Sequence, residues 1–487
     1  MDHIMPLSDG LGLRRETLQD DARLVLRSDF RMRREPTCIS MWRLGDDASC
    51  RDAINLHPST AIMLALMDGE RTVAQVAQDF AFVADVELED ARYHLEDVVA
   101  AYSDRFAPAA DLPAERIRKY NPMAFGIPAE QIDLSARRPG APFSLVYSVT
   151  NACVADCIYC YAERQQHSGA GPMLPLARVM EIIDEMGDLE IPGVVVSGGD
   201  PFMHPNIVEI LGKMISREIR PAVSTKIEVP EADIKRLRNF GLKRLQISID
   251  TTNPETHAFL TKAPNLLEGT LATGRRAVAA GIRLLINAVL NSYTVAEMEQ
   301  LVVDMVELGS RSITFTEYTR SPFRHSDELF LSEDQIKQAV ETVEALKQRY
   351  PEVEIDFRRE AELPFEGRAL CSGGIQNMAI YPDGKVTLCD QAPSTPDCVV
   401  GDLSHQSIKE IWNSERIDAF LYPERKLFAG TACEECPDLE QCHATLGRCF
   451  IKSLKAYGTI FGPVPGCPRA PQPTVRLRSG DVVATVN

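Results

Sequence analysis

The chain has 487 residues, of which 45% are apolar and 25% are charged, an ordinary globular composition. At about 150 residues per domain, this length predicts roughly three domains. Acidic residues outnumber basic ones by 70 to 52, and the net charge of −18 disfavours nucleic acid and anionic membranes as partners. No apolar run is long enough for a membrane helix and no secretory signal is visible, so we expect a cytoplasmic protein.

The thirteen cysteines are the most unusual feature of the composition. Because thiols stay reduced in the cytosol, disulfides do not explain them. Eleven lie at or after Cys153, and five lie between Cys433 and Cys467. Such clustering indicates metal or iron–sulfur ligation. Cys38 and Cys50 fall outside the pattern, and we interpret them as ordinary small apolar residues.

The N-terminal part of the chain predicts a small helical module. Residues 1–30 are expected to form an arm, and residues 31–106 a winged-helix-like domain with a strand within Thr37–Leu44. Its predicted helices are Ala61–Met67, Val73–Phe80 and a longer helix from Glu87 to about Tyr102. Residues 107–142 are rich in Pro, Ala and Arg, which is typical of a linker.

Residues 143–330 alternate between strand and helix patterns, which predicts an α/β fold with a parallel sheet. The predicted strands are Ser144–Val149, Gly193–Val196, Pro221–Ser224, Arg244–Ile249, Arg283–Leu290 and Ser312–Glu317. Six repeats are too few for an eight-fold barrel, so we expect an open or partial (β/α)6 TIM-like barrel. Functional groups in such a sheet lie at the C-terminal ends of the strands.

The last part of the chain is less regular. Residues 331–370 predict a connecting helix and strand, residues 371–470 a cysteine-rich domain, and residues 471–487 a tail. Within the cysteine-rich domain, Met378–Cys389 reads as a hairpin with a Pro-Asp-Gly turn.

Cys153, Cys157 and Cys160 form the pattern C-x3-C-x2-C directly after the first strand of the α/β region. Three thiolates on one tight loop can hold three irons of a [4Fe–4S] cluster and leave the fourth iron open for a substrate or cofactor. A zinc site is the alternative, but a closed zinc site needs four ligands, and no nearby His or Cys supplies the fourth.

With this loop, residues 144 to about 320 resemble the radical S-adenosylmethionine (SAM) superfamily, and Tyr159 matches the aromatic residue of its cysteine loop. The segment Ser197-Gly-Gly-Asp-Pro201 resembles the Gly-Gly-Glu-Pro motif that meets the methionine amino group, with aspartate in place of glutamate. The segment Gln246-Ile-Ser-Ile-Asp250 resembles the fourth-strand motif whose serine contacts SAM. The arginine that often follows is replaced by Leu260-Thr261-Lys262.

The resemblance implies a SAM site and its chemistry. The implied SAM-binding residues are Tyr159, Gly198, Gly199, Asp200 and Ser248. An electron from a reduced flavodoxin- or ferredoxin-type donor would cleave SAM and leave a 5′-deoxyadenosyl radical, which abstracts hydrogen from an unactivated C–H bond. The protein would orient the substrate and exclude water.

The cysteine-rich region resembles the SPASM domain, an extension of peptide-modifying radical SAM enzymes with two auxiliary [4Fe–4S] clusters. Cys371 and Cys389 fit the C-x(9–15)-G-x4-C part of its pattern. Cys433, Cys436 and Cys442 fit the C-x2-C-x5-C part. Six residues separate Cys442 from Cys449, where the family usually has three.

The SPASM resemblance implies three [4Fe–4S] clusters in the whole chain. The ligands carried over for auxiliary cluster I are Cys371, Cys389 and Cys449, with Cys398 or an open iron as the fourth. Those carried over for auxiliary cluster II are Cys433, Cys436, Cys442 and Cys467. Structural zinc sites are the alternative for this region.

Asp390 directly follows Cys389. In the SPASM enzymes that oxidise serine or cysteine in sulfatases, an aspartate beside that cysteine acts as the base. The resemblance therefore implies that Asp390 accepts a proton when a substrate radical is oxidised. The alternative is a carboxylate that only hydrogen-bonds within a cluster loop.

The module at 31–106 resembles PqqD, the small peptide-binding domain also called the RiPP recognition element. RiPPs are ribosomally made, post-translationally modified peptides. The resemblance lies in the layout and in the segments 57–69 and 72–77. It implies that a precursor peptide binds as an added strand at a sheet edge. A generic helical regulatory module is the alternative.

The motifs together predict a radical SAM/SPASM maturase that acts on a ribosomal peptide or small protein subunit and forms a thioether or carbon–carbon cross-link. One alternative is oxidation of a Ser or Cys, as in sulfatase maturation. The non-enzyme alternative is an iron–sulfur electron carrier or scaffold. An open iron argues against this alternative, because a carrier gains nothing from an exchangeable iron.

Overall fold

The computed structural model describes residues 18–45, 50–113, 117–162, 171–359, 371–445, 448–481 and 483–484. The chain divides between Gly140 and Ala141 into two compact units. Each unit has its own apolar core, one built from residues between Leu26 and Phe125 and the other from residues between Leu145 and Ile460. Within the described residues, no helix is long and apolar enough to cross a membrane.

The first unit contains more strand than the sequence predicts. Its strands are β1 (Leu24–Leu26), β2 (Phe30–Arg34), β3 (Ile39–Leu44), β4 (Cys50–Leu56) and β5 (Phe106–Pro108). β2, β3 and β4 form an antiparallel sheet in that order, and β1 pairs with β5. The expectation of an irregular arm through residue 30 is wrong for β1. β2 was missed because its buried Phe30 and Met32 alternate with arginines, which hide the apolar pattern.

The predicted helices of the first unit are confirmed, with ends shifted by a few residues. They are α1 (Pro58–Leu66), α2 (Val73–Ala84) and α3 (Leu88–Ala101). Thr72 and Gln75 form a capping box at the start of α2. Phe80 and Leu95 pack with Met41 of the sheet in the core of this unit. Cys38 is buried, as expected for a small apolar residue, and the Cys50 side chain lies outside the described part.

The segment with linker-like composition packs against the first unit. The Tyr120 hydroxyl accepts a hydrogen bond from the Met32 amide at 3.1 Å. Phe125 is buried in the same core as the helices. Asn55 donates to the backbone carbonyls of Leu134 and Ala136, each at 2.9 Å. The described part of this segment therefore packs against the first unit and is not an extended linker.

The second unit is built on a ten-stranded open sheet. Its strands are β6 (Ser144–Ser148), β7 (Gly193–Ser197), β8 (Arg220–Thr225), β9 (Arg244–Ser248), β10 (Arg283–Leu290), β11 (Ser312–Glu317), β12 (Glu354–Arg358), β13 (Asn377–Ile380), β14 (Lys385–Thr387) and β15 (Gly401–Asp402). The strand order is β12-β11-β10-β9-β8-β7-β6-β13-β14-β15. The strands from β6 to β12 run parallel, which confirms the six predicted strands. β12 is a strand in the region 331–370, where a connecting helix and strand were predicted, and it extends the sheet.

Most helices of this unit share one apolar core with the parallel sheet. The helices of the unit are α4 (Leu176–Asp188), α5 (Ile207–Ser216), α6 (Glu231–Phe240), α7 (Pro254–Thr261), α8 (Leu266–Ala279), α9 (Met298–Leu308), α10 (Glu333–Arg349), α11 (Ile408–Trp412), α12 (Glu415–Leu421), α13 (Leu439–Thr445) and α14 (Phe450–Tyr457). Along β10, Leu284 and Ile286 are buried in the core with the helices, and Asn287 between the apolar positions is partly exposed. The face away from the helices is therefore available for a site.

The cysteine-rich region joins the parallel sheet directly. The predicted hairpin is confirmed as β13 and β14, with Gly384 in a left-handed conformation at its turn. β13 lies parallel to β6, the strand that precedes the first cysteine loop. Asn377 pairs with Ser144 and Ile380 with Tyr147, so the cysteine-rich region is fixed alongside the strand that leads into that loop.

Candidate active site

The first cysteine loop lies at the C-terminal end of β6. Cys157 is buried, and Cys153 and Cys160 are partly exposed. Two backbone hydrogen bonds attach the loop to the end of α7: the amide of Asp156 donates to Thr261 at 2.8 Å, and the amide of Ile158 donates to Leu260 at 3.0 Å. The stretch that replaces the family's arginine thus supports the cysteine loop through its backbone.

The two glycines after β7 permit a close approach between two loops. The Gly199 amide donates to the Thr150 carbonyl at 2.7 Å, and the Asp200 amide donates to the Ala152 carbonyl at 2.8 Å. A Cβ on Gly198 would lie 2.3 Å from the Thr150 oxygen, and one on Gly199 would lie 2.1 Å from the Ala152 oxygen. Both distances are far below van der Waals contact, and Gly198 also has a φ of +139°. Glycine is required at both positions.

Asp200 occupies the position of the family's glutamate. Its buried carboxylate accepts hydrogen bonds from the Thr225 hydroxyl at 2.9 Å and from the Lys226 amide at 2.7 Å. It also accepts one from the Phe202 amide at 3.0 Å. Burial raises the pKa of Asp200. The hydrogen bonds of this carboxylate therefore connect the loop after β7 to the end of β8.

Tyr159 and Asp250 meet at a partly buried lysine, Lys226, that the sequence motifs did not indicate. The Lys226 ammonium lies 2.9 Å from the Tyr159 hydroxyl and 3.0 Å from Asp250 Oδ2. The Tyr159 hydroxyl donates to the same carboxylate, and the Val289 amide donates to Asp250 Oδ1 at 2.7 Å. Burial raises the pKa of Tyr159 well above its ordinary value. One sequence feature could have indicated Lys226: it is a charged residue directly after the predicted strand that became β8.

Ser248 ends β9 on the sheet face away from the helices. Its hydroxyl lies 3.3 Å from Gln246 Nε2. In the sheet register it is next to Asn287, whose Oδ1 accepts a hydrogen bond from the Thr316 hydroxyl at 2.9 Å. Polar side chains thus continue from Ser248 across β10 to β11.

The structure brings together the thiols expected for auxiliary cluster I. Burial raises the pKa of Cys389 to about 12, and the neighbouring charges of Asp390, Cys449 and Cys371 contribute to the increase. Cys398, the candidate fourth ligand, is buried in the apolar core of the second unit with Val400.

The thiols expected for auxiliary cluster II also lie near one another. Burial raises the pKa of Cys433 to about 11, and Cys467, Cys436 and Cys442 add to the increase, whereas Arg448 opposes it. The guanidinium of Arg448 also interacts with Cys449 and Cys371, so this cation stands near both groups of thiols.

The donor set of the first loop distinguishes between the two kinds of metal site. The loop offers three thiols, those of Cys153, Cys157 and Cys160. A closed zinc site takes four ligands. Three thiolates match three irons of a [4Fe–4S] cluster whose fourth iron stays open. The donors of this loop therefore fit a cluster.

Asp390 lies near the thiols of the C-terminal region and near the first cysteine loop. The Cys389 sulfur is 3.7 Å from Asp390 Oδ1, and burial raises the pKa of Asp390. The surrounding protein raises the pKa of Tyr161 to about 12, with a further contribution from the charge of Asp390. Tyr161 directly follows Cys160, and its hydroxyl lies 3.4 Å from the Ser197 hydroxyl. The carboxylate therefore lies beside the Cys389 sulfur, and its charge acts on the tyrosine that follows the first cysteine loop.

Comparisons with known proteins agree with this geometry. Residues 147–305 match the Radical SAM superfamily, and residues 371–437 match SPASM, an iron–sulfur cluster-binding domain. The chain is thus an enzyme of the radical SAM class with a SPASM domain. These matches lie within the regions predicted from the cysteine motifs.

The sequence identity to individual relatives is low. The chain is 23% identical to the PqqA peptide cyclase of Gluconobacter oxydans over 344 residues, which cover 68% of this chain and 92% of that protein. It is 24% identical to the PqqA peptide cyclase of Methylocella silvestris over 340 residues, 68% of this chain and 88% of the relative. The crystal structure of Streptococcus suis SuiB bound to its precursor peptide SuiA shares the fold, with a TM-score of 0.65 at 14% identity. That similarity covers 91% of this chain and all of SuiB.

Gly199→Ala should prevent assembly of the first site. The added Cβ would collide with the Ala152 carbonyl and push the two loops apart. We expect the reconstituted variant to lose about four irons per chain and its SAM cleavage, as measured by iron analysis and 5′-deoxyadenosine formation. Gly126→Ala is the control, because its Cβ would meet its nearest atom at an ordinary 3.7 Å. Normal iron content in Gly199→Ala would contradict the close-approach argument.

Proposed function

We propose that this enzyme modifies a ribosomally made precursor peptide or small protein subunit and forms a thioether or carbon–carbon cross-link in it. The observation that carries the proposal is the Asp390 carboxylate, which lies 3.7 Å from the Cys389 sulfur and whose charge acts on Tyr161, the residue directly after Cys160. A base at this point can serve a substrate that reacts at the first site and passes an electron to the second. Similarity to peptide cyclases and to the fold of SuiB supports a peptide substrate.

The residues present fit SAM and three [4Fe–4S] clusters, in agreement with the cofactors of the class. Cys153, Cys157 and Cys160 would hold the SAM-binding cluster, and the two C-terminal groups of thiols would hold auxiliary clusters I and II. When bound, SAM and the first cluster supply a 5′-deoxyadenosyl radical that abstracts a hydrogen atom. A reduced flavodoxin- or ferredoxin-type protein is the proposed electron donor, and the cytoplasm is the proposed location, because it keeps the ligating thiols reduced.

Asp390 is the proposed base for the second half of the reaction. After a substrate C–H bond has lost its hydrogen atom, the new cross-link forms when the substrate loses one further electron and one proton. The thiols of Cys371, Cys389 and Cys449 would hold the electron acceptor. The Asp390 carboxylate, 3.7 Å from the Cys389 sulfur, would take the proton.

The first unit is proposed to capture the leader part of the precursor. Its antiparallel sheet has two edges, β2 and β4. The Met32 amide of β2 is bonded to the Tyr120 hydroxyl, and the Asn55 side chain of β4 is bonded to the carbonyls of Leu134 and Ala136. We place an added peptide strand at one of these two edges, in a PqqD-like mode of recognition. The first unit is proposed to contribute no catalytic residue.

Anaerobically reconstituted protein should contain about twelve irons and twelve sulfides per chain, as three four-iron clusters require. Replacing Cys153, Cys157 and Cys160 together by alanine should remove about four of each. Iron and sulfide analysis checks both numbers. A value near four in the unmodified protein would contradict the auxiliary clusters.

Asp390→Asn should separate SAM cleavage from product formation. Asparagine keeps the size of the side chain but cannot accept the proton, and loss of a general base typically lowers a rate about 10²- to 10⁴-fold. Iron content and 5′-deoxyadenosine should stay normal while cross-linked peptide, measured by mass spectrometry, falls. Asp397→Asn, which changes an exposed carboxylate of the same domain, should behave like the unmodified enzyme. Near-normal product would make Asp390 a bystander, and lost iron would make it a structural residue.

Removal of residues 1–140 should impair capture of the precursor without abolishing SAM cleavage. The two units have separate cores, so the chain from Ala141 retains its own. We expect 5′-deoxyadenosine to form in the absence of peptide and conversion of full-length precursor to fall at low peptide concentration. Product assays against precursor concentration measure the effect. Equal conversion by the truncated and intact enzymes would rule out the recognition role.

A further inference from the structure

We propose that residues 476–481, near the C-terminus, are part of the first site: they hold the loop that follows β11, and through Arg324 of that loop they fix the first cysteine loop. In this role Arg324 is a positioning residue. We call residues 318–331 the cap loop and residues 476–481 the C-terminal strap. The inference rests on contacts within the chain and does not depend on which peptide is the substrate.

The cap loop shares a small apolar cluster with the first cysteine loop. The buried members of this cluster include Ala155, Cys157 and Tyr159 of the cysteine loop, Leu260 of α7, and Tyr318, Leu329 and Phe330 of the cap loop. The ring centres of Tyr318 and Phe330 lie 5.2 Å apart, and the Tyr318 hydroxyl accepts a hydrogen bond from the Ser326 amide at 3.0 Å. The cap loop therefore shields one side of the cysteine loop from water.

Polar side chains of the cap loop reach the cysteine loop on both sides of Cys160. The Arg324 guanidinium forms an ion pair with Asp156 and donates a hydrogen bond to the Cys157 carbonyl at 2.8 Å. The hydroxyl of Ser321 lies 3.4 Å from the Tyr161 carbonyl oxygen. Hydrogen bonds with a charged donor are roughly twice as strong as neutral ones. Arg324 is therefore the stronger of the two polar attachments.

The C-terminal strap is bonded to both ends of the cap loop. At the first end, the two segments form an antiparallel bridge, and the Arg320 amide donates to the Leu477 carbonyl at 2.7 Å. At the other end, the Leu331 amide donates to the Ser479 hydroxyl at 2.9 Å. Ser479 is only 4% exposed, so water cannot easily replace this bond.

Asp481 holds the strap in the conformation that meets the cap loop. One carboxylate oxygen accepts hydrogen bonds from the amides of Leu477 and Arg478, at 3.0 and 3.2 Å. The other accepts one from Arg478 Nε at 2.9 Å. The side chains of Arg478 and Asp481 are 16% and 18% exposed, so their ion pair is partly shielded from solvent and salt.

The contacts therefore run without a break from the strap, through the cap loop, to the cysteine loop. If the strap detaches, the cap loop loses an attachment at each end, and Arg324 loses its fixed position. The cysteine loop should then open more often, because local opening follows the number and strength of the contacts that oppose it. The amides of Asp156, Ile158 and Cys160, which are hydrogen-bonded in the closed loop, report such opening.

The test is hydrogen–deuterium exchange of the reconstituted full-length protein without peptide, followed by mass spectrometry, with iron content measured on the same samples. Asp481→Ala should speed exchange in the cap loop and, about three- to tenfold, in the cysteine loop, the scale of one lost hydrogen bond to a charged group. Exchange in α5 should not change and serves as the reference for global unfolding. Asp397→Ala, which removes an exposed carboxylate of the same unit, is the matched control.

Two variants of Arg324 test whether the strap acts through this residue. Arg324→Met should speed exchange in the cysteine loop, and Arg324→Lys, which keeps the charge, should bring it back toward that of the unmodified protein. In the double variant, Asp481→Ala should add little to the effect of Arg324→Met on the cysteine loop, because both changes break one series of contacts.

Two results would overturn the proposal. One is unchanged exchange in the cysteine loop of Asp481→Ala while exchange in the cap loop rises. The other is a double variant in which the two effects simply add. Ser479→Ala removes a single hydroxyl of the strap and provides the same comparison where Asp481→Ala fails to fold. Neither result would affect the proposed peptide modification, because no peptide is present in the measurement.

Discussion

The close backbone approach between residues 198–200 and residues 150–152 is the constraint on which the site depends. Two amides after β7 donate to two carbonyls immediately before Cys153, so the first thiol cannot be placed independently of the glycine motif. The same motif places Asp200, whose carboxylate holds the end of β8 and with it Lys226. A chain of short hydrogen bonds thus connects three strand ends to one cysteine loop.

Much of this arrangement could be predicted from the sequence, because strand and helix periods are local properties. The six strands of the parallel sheet, the capping of α2 and the hairpin turn at Gly384 all follow from local patterns. The pairing of β13 with β6 could not be predicted in this way, because it joins residues more than 200 positions apart. Lys226 was missed for the same reason: the side chains that surround it come from three separate motifs.

The cysteine-rich region is attached to the parallel sheet that carries the first cysteine loop. Because β13 is paired with β6, the region runs alongside the strand that leads into the first cysteine loop. Asp390 lies 3.7 Å from the Cys389 sulfur, and its charge contributes to the raised pKa of Tyr161 beside the first cysteine loop. The spacing of the cysteines predicts which thiols belong together.

The central claim is that a hydrogen atom leaves a carbon of the peptide and enters 5′-deoxyadenosine. The direct measurement uses unlabelled SAM and a candidate precursor, encoded by a short reading frame beside the gene, that carries deuterium on its carbons. The account predicts that mass spectrometry will find deuterium in 5′-deoxyadenosine, in proportion to the peptide converted. Converted peptide accompanied only by unlabelled 5′-deoxyadenosine would contradict it.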